Sequence, residues 1–445
     1  MLKLKLSKTE ITTIEYLEPT RYFAKFYRSE QAALLTGKGE ADISRYSFIG
    51  IHPHTIITFA KQYQIRTQQE TTRQSADFWD FQKQILAATE YHLAAYPANL
   101  CGGIGYYAYD ALHQIEEIEF AENNYQMPLY QIAFYNRYLI FDHWQKQAWQ
   151  IDFSYQQPSL LAAIEEYEPD FSVSNITPES TAEEYKQKVQ QIRQYILAGD
   201  VYEVNLSQQI RAEFQGNPYL LFQKLYDINA APFSGYLNFG KHKIICNSPE
   251  MFLQAAGRQV QTRPIKGTVS RSSDPEIDAA NKQWLLDSTK DQAELFMIID
   301  LLRNDLGKIC QYGSVQVQAA KRLEAYENVY HLIGIISGQM ESRYDYIDLM
   351  RATFPGGSIT GCPKIRSMEI IQELESYNRH LYTGTIFMIN QNYLSSNIVI
   401  RSAIITEDKI FFNSGGAITI DSSAEEEYAE TEAKLSSLLQ AIKNL

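Results

Sequence analysis

Residues 181–210 read TAEEYKQKVQQIRQYILAGDVYEVNLSQQI, and the fold class is read outward from them. Thr181 and Glu184 make a capping-box pattern, because hydroxyl and carboxylate can each satisfy an orphan backbone N–H. Tyr185, Val189, Ile192 and Ile196 then recur at helical spacing, and Gly199 stops the run. A strand follows at once. Tyr202, Val204 and Leu206 are expected on one face, and Glu203, Asn205, Ser207 and Gln209 on the other. That polar face either meets water or lines a pocket.

Downstream, further helices are expected over 289–306, with Thr289 and Gln292 as cap, and after FPGGSITGCP (354–363). The latter has Pro363 in its first turn and Ile365, Met368 and Ile371 on one apolar face. A last helix starts near Ser422 or Ser423, with Leu435, Leu439 and Ile442 inward. Between the helices lie HKIICNS, GTIFMIN, NIVIRSAII and KIFFNSG, all strand-like. Strands dominate without regular βαβ alternation. The expected class is α+β, with large antiparallel sheets as a sandwich-like core and helices packed outside.

The chain has 445 residues, room for one large domain or two. The stretch QPSLLAAIEEYEPDFSVSNITPES, with three prolines and an acidic cluster, reads as a linker. It separates an N-terminal region, 1–165, from a region at 175–445. The opening MLKLKLSK alternates apolar and basic residues, as a strand does and a signal peptide does not. No apolar run approaches the length of about 18 residues that a membrane helix needs. Cys101, Cys246, Cys310 and Cys362 form no CxxC pair, so neither a zinc site nor a disulfide framework is expected, and a reducing cytoplasm fits. The formal charge of −13, without a Lys/Arg run, argues against nucleic acid as a partner.

Several residue groups suggest chemistry. Glu427 and Glu430 share a face of the last helix, and Glu294 lies on the 289–306 helix. Oxygen-only ligands of this kind suit Mg²⁺, but EEEYAETEAK can equally be a solvated acidic face. FPGGSITGCPK has the glycine spacing of a phosphate loop, yet Cys362 stands where that loop needs lysine. What remains is a glycine turn feeding a helix N-terminus, which favours anions or is simply a tight turn. Arg401, expected in an apolar strand, requires a carboxylate partner from protein or ligand. His331 stands alone among apolar residues. In RPIKGTVSR (263–271), Lys266 lies between Pro264-Ile265 and Gly267-Thr268, with Arg263 and Arg271 at the ends. A lysine is nucleophilic only when neutral, and its ordinary pKa of about 10.4 opposes that. Burial and the two arginines would favour the neutral amine, but on these residues alone a lysine in a surface loop is the better reading.

Together, GDVYEVNLSQ (199–208), SPEMFL (248–253), RPIKGT (263–268), AELFMIIDLLRNDLG (293–307), FPGGSITGCPKIRSMEII, IRSA (400–403) and GGAITIDSSAEEEYAETEAK (415–434) resemble the chorismate-utilising enzymes. SRYSFIG (44–50) and CGGIGYYAYD (101–110) fit as well. The resemblance implies the fold of anthranilate synthase component I. The loop usually reads PIAGT in the anthranilate synthase branch; PIKGT is similar to the aminodeoxychorismate synthase branch. By that resemblance, Lys266 attacks C2 of chorismate, the C4 hydroxyl leaves, and ammonia enters at C4 to give 4-amino-4-deoxychorismate, the p-aminobenzoate and folate precursor. Glu250 is then the general acid, with burial expected to raise its pKa. Glu294 and Glu430 are direct Mg²⁺ ligands with Glu427 beside them. Arg401, Tyr382, Gly415 and Gly416 hold substrate carboxylates, with Thr360 and Lys364 near. Thr268 belongs to the same substrate-binding set, and His331 lies near the ring as a catalytic candidate.

Three positions depart from the pattern. Glu203 stands where amine-incorporating branches more often have glutamine and water-using branches lysine. Cys362 replaces a usual alanine as a small filler. LLTG (34–37) replaces the LLES linked to tryptophan feedback, so weak or absent tryptophan inhibition is expected. No G-x-C-x-G turn of a glutamine amidotransferase occurs, so ammonia is expected from a separate amidotransferase subunit. No appended lyase is expected after the last helix. The rival readings are anthranilate synthase component I, an isochorismate or salicylate synthase, and a catalytically inactive regulatory subunit.

Overall fold

The computed structural model describes residues 6–38, 42–118, 127–155, 165–166 and 168–443. The first residues of the expected opening strand, and much of the expected linker, lie outside these. Among the described residues, twenty-two strands join one hydrogen-bonded network, and the named strand pairs are antiparallel. Helices pack against this network, so the architecture is α+β, as expected.

Nine strands position the site: β1 (Ala33–Thr36), β2 (Gly103–Tyr107), β3 (Glu203–Gly216), β4 (Phe233–Phe239), β5 (Ile265–Ser270), β6 (Val329–Gln339), β7 (Gly361–Cys362), β8 (Thr385–Ile389) and β9 (Lys409–Ile418). Four helices matter equally: α1 (Ala182–Ala198), α2 (Thr289–Gly307), α3 (Lys364–Leu374) and α4 (Ala424–Lys443). β1 pairs with β4 and β2 pairs with β8, so strands from before residue 110 are built into the same network as those from after 230.

α1 begins as its sequence dictates. Thr181 Oγ1 accepts from the Glu184 N–H, and Glu184 Oε2 accepts from the Thr181 N–H at 2.8 Å. Gly199 ends the helix at φ +85°, a conformation that favours glycine. Tyr185, Val189 and Ile192 are buried against Val204, Leu206, Ile370 and Ile371. The polar face of β3 is dry: Glu203, Asn205, Ser207 and Gln209 are all buried.

Local expectations fail at four points. Tyr202 precedes β3 and is exposed rather than facing inward with Val204. The cap of α2 is Ser288, one residue before Thr289, because the Ser288 hydroxyl accepts from the Asp291 N–H. Ile365 points outward from α3 while Met368 and Ile371 are buried. Arg401 lies outside any strand, in left-handed backbone at φ +50°, just ahead of the strand Ser402–Thr406.

A buried ion pair fastens β3 to the glycine turn. Arg379 donates to Glu375 through Nε at 2.8 Å and Nη2 at 2.7 Å, and to the carbonyls of Asn205 at 2.6 Å and Ile359 at 3.1 Å. Glu375 also accepts from the N–H and hydroxyl of Ser207. Removing the arginine leaves a buried carboxylate without its counter-charge, which costs about 3–5 kcal/mol. Arg379→Leu is expected to lower unfolding stability by that amount in urea titrations. Arg379→Leu combined with Glu375→Gln is expected to recover part of the loss, because no buried charge is then stranded.

Candidate active site

Lys266 is carried inward on β5, opposite the buried face of β3. Gly267, at φ +79°, makes the bend after it, and a Cβ there would sit 2.9 Å from Asp291 and Leu285. The Lys266 ammonium is buried and donates to Glu203 Oε1 at 2.8 Å. Burial alone would lower its pKa, but the charges of Glu203, Glu294 and Glu250 outweigh burial and raise it. The expected neutral amine is therefore not the resting state. The arginines do not act as expected either. Arg263 forms a two-pronged pair with Asp42 at 2.6 and 2.9 Å, and Arg271 reaches Asp278 and the Tyr326 carbonyl.

Glu250 is buried just before the strand Met251–Ala256. Burial raises its carboxyl to about 7, with Ser358 and Lys266 pulling the other way. Its Oε1 has no hydrogen-bond partner among the described residues. A carboxyl that stays protonated near neutrality suits a general acid.

Glu294, on α2, is likewise raised to about 7 by burial, against Lys266 and with Glu203 adding repulsion. On α4, burial raises Glu427; it accepts from the Ser422 hydroxyl at 2.6 Å, while its Oε2 is buried without a partner. Burial alone would raise Glu430, but its 2.6 Å ion pair with Lys434 wins and holds it low. Gly416 explains the pair of glycines: a Cβ there would lie 3.1 Å from Glu427 Oε2 and 3.7 Å from Glu430 Oε1. Gly415 offers its carbonyl to Lys434 at 2.8 Å. Sequence reading missed Lys290, whose ammonium lies 3.6 Å from Glu427 and feels Glu294 and Glu430 too. Its position four residues before Glu294, on the same helix, was the available signal.

Among the described residues, no three His, Cys, Asp or Glu side chains are gathered as a ready-made metal cage. Mg²⁺ does not need one, since it binds through one or two carboxylates, waters and substrate oxygens. The orphaned Glu427 Oε2, the oxygen-only donors and a glycine at 416 that puts no Cβ against those carboxylates fit that ion.

Arg401 makes no ion pair or side-chain hydrogen bond among the described residues, and burial lowers its pKa against the pull of Glu250. The carboxylate partner expected of it is not supplied by a protein side chain among the described residues. His331 is buried and pushed down to about 3 by burial and by Arg401, so it is neutral; its Nδ1 bonds the Thr268 hydroxyl at 2.8 Å. Tyr382 is buried beside Arg379. Two expected substrate contacts are differently employed. The Thr360 hydroxyl donates into its own turn, to the Gly356 and Gly357 carbonyls. Lys364 is committed to Asp305 and to the Thr353 and Pro355 carbonyls, and it lines a separate cleft of about 950 Å³ with Tyr202 and Cys362. Cys362 is half-buried, lies opposite Glu203 across β7 and β3, and lines that cleft.

A buried acid, an ion-paired lysine, an unpaired arginine and a carboxylate cluster now stand together. The model of the chorismate binding enzyme family matches residues 32–440. The chain belongs to the chorismate binding enzymes. An aminodeoxychorismate synthase component 1 from Escherichia coli is 33% identical over 433 residues, covering 95% of each chain. An anthranilate synthase component 1 from Aquifex aeolicus is 38% identical over 281 residues, 63% of this chain and 56% of that one. The crystal structure of anthranilate synthase component I from Streptococcus pneumoniae superposes with a TM-score of 0.76 at 26% identity, covering 90% of this chain and 93% of that one. These relatives agree with the antiparallel fold and with the resemblance drawn from the motifs.

Glu250 gives a test of the site's electrostatics. An ordinary glutamate titrates near 4.5, and in the fold this one titrates near 7. The folded state therefore holds the extra proton between those values, and stability falls as pH rises through that window. At about 1.4 kcal/mol per unit, the full loss is about 3 kcal/mol. Glu250→Gln is expected to match the parent in stability near pH 4.5 and to exceed it at pH 8, read by urea unfolding at both pH values.

Proposed function

We propose that the chain is component 1 of an aminodeoxychorismate synthase, converting chorismate and ammonia to 4-amino-4-deoxychorismate. The observation that carries this reading is Lys266 itself. A buried amine on β5, within the electrostatic reach of a Glu250 that keeps its proton to about 7, supports covalent chemistry on a ring. A chain reading PIAGT has no such amine. An aminodeoxychorismate synthase component 1 aligns over 95% of this chain at 33% identity, against 29% for an anthranilate synthase component 1 that aligns over 96% of it.

In this reading Lys266 Nζ bonds to C2 of chorismate as Glu250 gives its proton to the departing C4 hydroxyl. Ammonia then bonds at C4 and the lysine leaves. Splitting the substitution in two spares either nucleophile from displacing hydroxide unaided. Arg401 receives a substrate carboxylate, with Tyr382 and the Gly415-Gly416 backbone shaping that end of the pocket. Neutral His331, held by Thr268, packs near the ring. Glu294 and Glu430, with Glu427 beside them, would hold Mg²⁺, which would grip the ring carboxylate and offset the acidic surroundings of Lys266. Ammonia would be supplied by a glutamine amidotransferase subunit. The "component 1" of the relative's name supports a second component. The free cysteines support a cytoplasmic location, and among the described residues no helix is long and apolar enough to cross a membrane.

The test is to incubate the protein with chorismate, Mg²⁺ and nitrogen-15 ammonium and to follow products by mass. Expected is labelled aminodeoxychorismate without pyruvate, lost on chelation and restored by Mg²⁺. Lys266→Ala is expected to lose at least a hundredfold in rate. Labelled anthranilate with pyruvate, or isochorismate without ammonium, contradicts the reading.

The N-terminal region, 1–165, would also supply one wall of an effector pocket. A cavity of about 280 Å³ lies between Leu35, Tyr46, Pro232 and Ser234. In it Thr36 bonds Ser47 at 2.9 Å instead of presenting a free hydroxyl. Micromolar tryptophan is expected to leave the rate unchanged; a clear loss of activity contradicts this.

A further inference from the structure

Lys266 carries a proton that its role as nucleophile requires it to lose. The structure offers a specific acceptor for it. Four acids face this ammonium: Glu203 from β3, Glu250 from before the strand Met251–Ala256, Glu294 from α2 and Glu430 from α4. Among the described residues, only Glu203 is within hydrogen-bond reach, at 2.8 Å. Glu203 in turn is faced by Lys266, by Glu294 and by the Cys362 thiol.

Glu203 is also held more rigidly than an incidental counter-ion needs to be. Its side chain is fully buried, and its second oxygen, Oε2, has no hydrogen-bond partner among the described residues. Its carbonyl accepts from the Ser367 hydroxyl at 3.0 Å. Gly361 lies so close that a Cβ there would be 2.1 Å from that carbonyl oxygen. Glu203 and Cys362, the two departures from the family pattern nearest the lysine, are directly opposite each other across β3 and β7.

We propose that Glu203 is the base that takes the Lys266 proton as the amine attacks the substrate ring. This rests on the lysine role proposed above and assigns the step that role leaves open. The proton passes from Nζ to the Glu203 carboxylate. The freed lone pair forms the N–C2 bond, the ring double bonds shift, and the C4–O bond breaks as Glu250 protonates the leaving oxygen to give water. When ammonia bonds at C4, the N–C2 bond breaks and lysine retrieves its proton from Glu203. The new ammonium group at C4 returns one proton to Glu250. Both carboxyl groups end as they began.

The test reads formation of the lysine adduct by intact mass, with chorismate and Mg²⁺ but no ammonia, from pH 6 to 10. The parent rate is expected to fall above pH 7 as Glu250, the general acid of the step, loses its proton, so each variant is read as its ratio to the parent at the same pH. Glu203→Gln keeps the shape and cannot take the proton. Its ratio to the parent is expected to be about a hundredth or less at pH 7, within the range for loss of a general base. That ratio should then rise about tenfold per pH unit as free amine appears. Glu203→Asp, which keeps the carboxylate, is expected to give a flat profile of that ratio at a value below one. Thermal melts identify any variant that fails to fold, and if the glutamine variant does so, the aspartate profile decides. A folded Glu203→Gln with the parental rate and profile, or a folded Glu203→Asp with a steep one, overturns the assignment while leaving the lysine reading intact. A parent that forms no adduct at any pH overturns the lysine reading itself.

Discussion

The buried pair between Lys266 and Glu203 is the constraint around which the site is arranged. A lone ammonium at this depth would be strongly disfavoured, and so would a lone carboxylate. Each residue is tolerable because the other is 2.8 Å away. Keeping them together requires β3 and β5 to present these two side chains to each other from separate parts of the chain. Arg379 serves that end at a distance: it binds the Asn205 and Ile359 carbonyls and so holds β3 against the glycine turn.

The site is unusually acidic for one meant to receive a dianion. Glu203, Glu250, Glu294, Glu427 and Glu430 are opposed by Lys266, Lys290, Lys434 and Arg401. Burial leaves Glu250 and Glu294 titrating near 7, so part of this negative charge is held in reserve as protons. The rest leans on cations: Lys434 on Glu430 and Lys290 near Glu427. Such a cluster suits a divalent ion, because the same carboxylates that repel a free carboxylate attract one carried with Mg²⁺.

Much of this was legible from sequence, for identifiable reasons. The capping box, Gly199 and the apolar spacing of α1 are local signals, and they hold. The α+β class followed from strands without βαβ alternation. Glu250 was expected to be raised by burial and is. Failures came where long-range pairing overrides local pattern. Arg263 and Arg271 are neighbours of Lys266 in sequence, yet Asp42 and Asp278 claim them. Lys364 follows the glycine turn, but Asp305 on α2 holds it. The wet-or-dry question for β3 could not be answered from alternation alone. It is settled by what meets that face: Lys266 on β5 at Glu203, and Glu375 at Ser207. Arg401 looked like a strand residue because its neighbours are apolar, but its left-handed backbone breaks the pairing there.

The central claim is that the Lys266 nitrogen becomes bonded to the substrate ring. A crystal structure of the protein soaked with chorismate and Mg²⁺, without ammonia, examines it directly. The account predicts continuous density from Nζ to a ring carbon, with Glu203 still within hydrogen-bond reach of that nitrogen. Chorismate bound beside the carboxylate cluster with Lys266 unbonded to it and still paired to Glu203 would contradict the account.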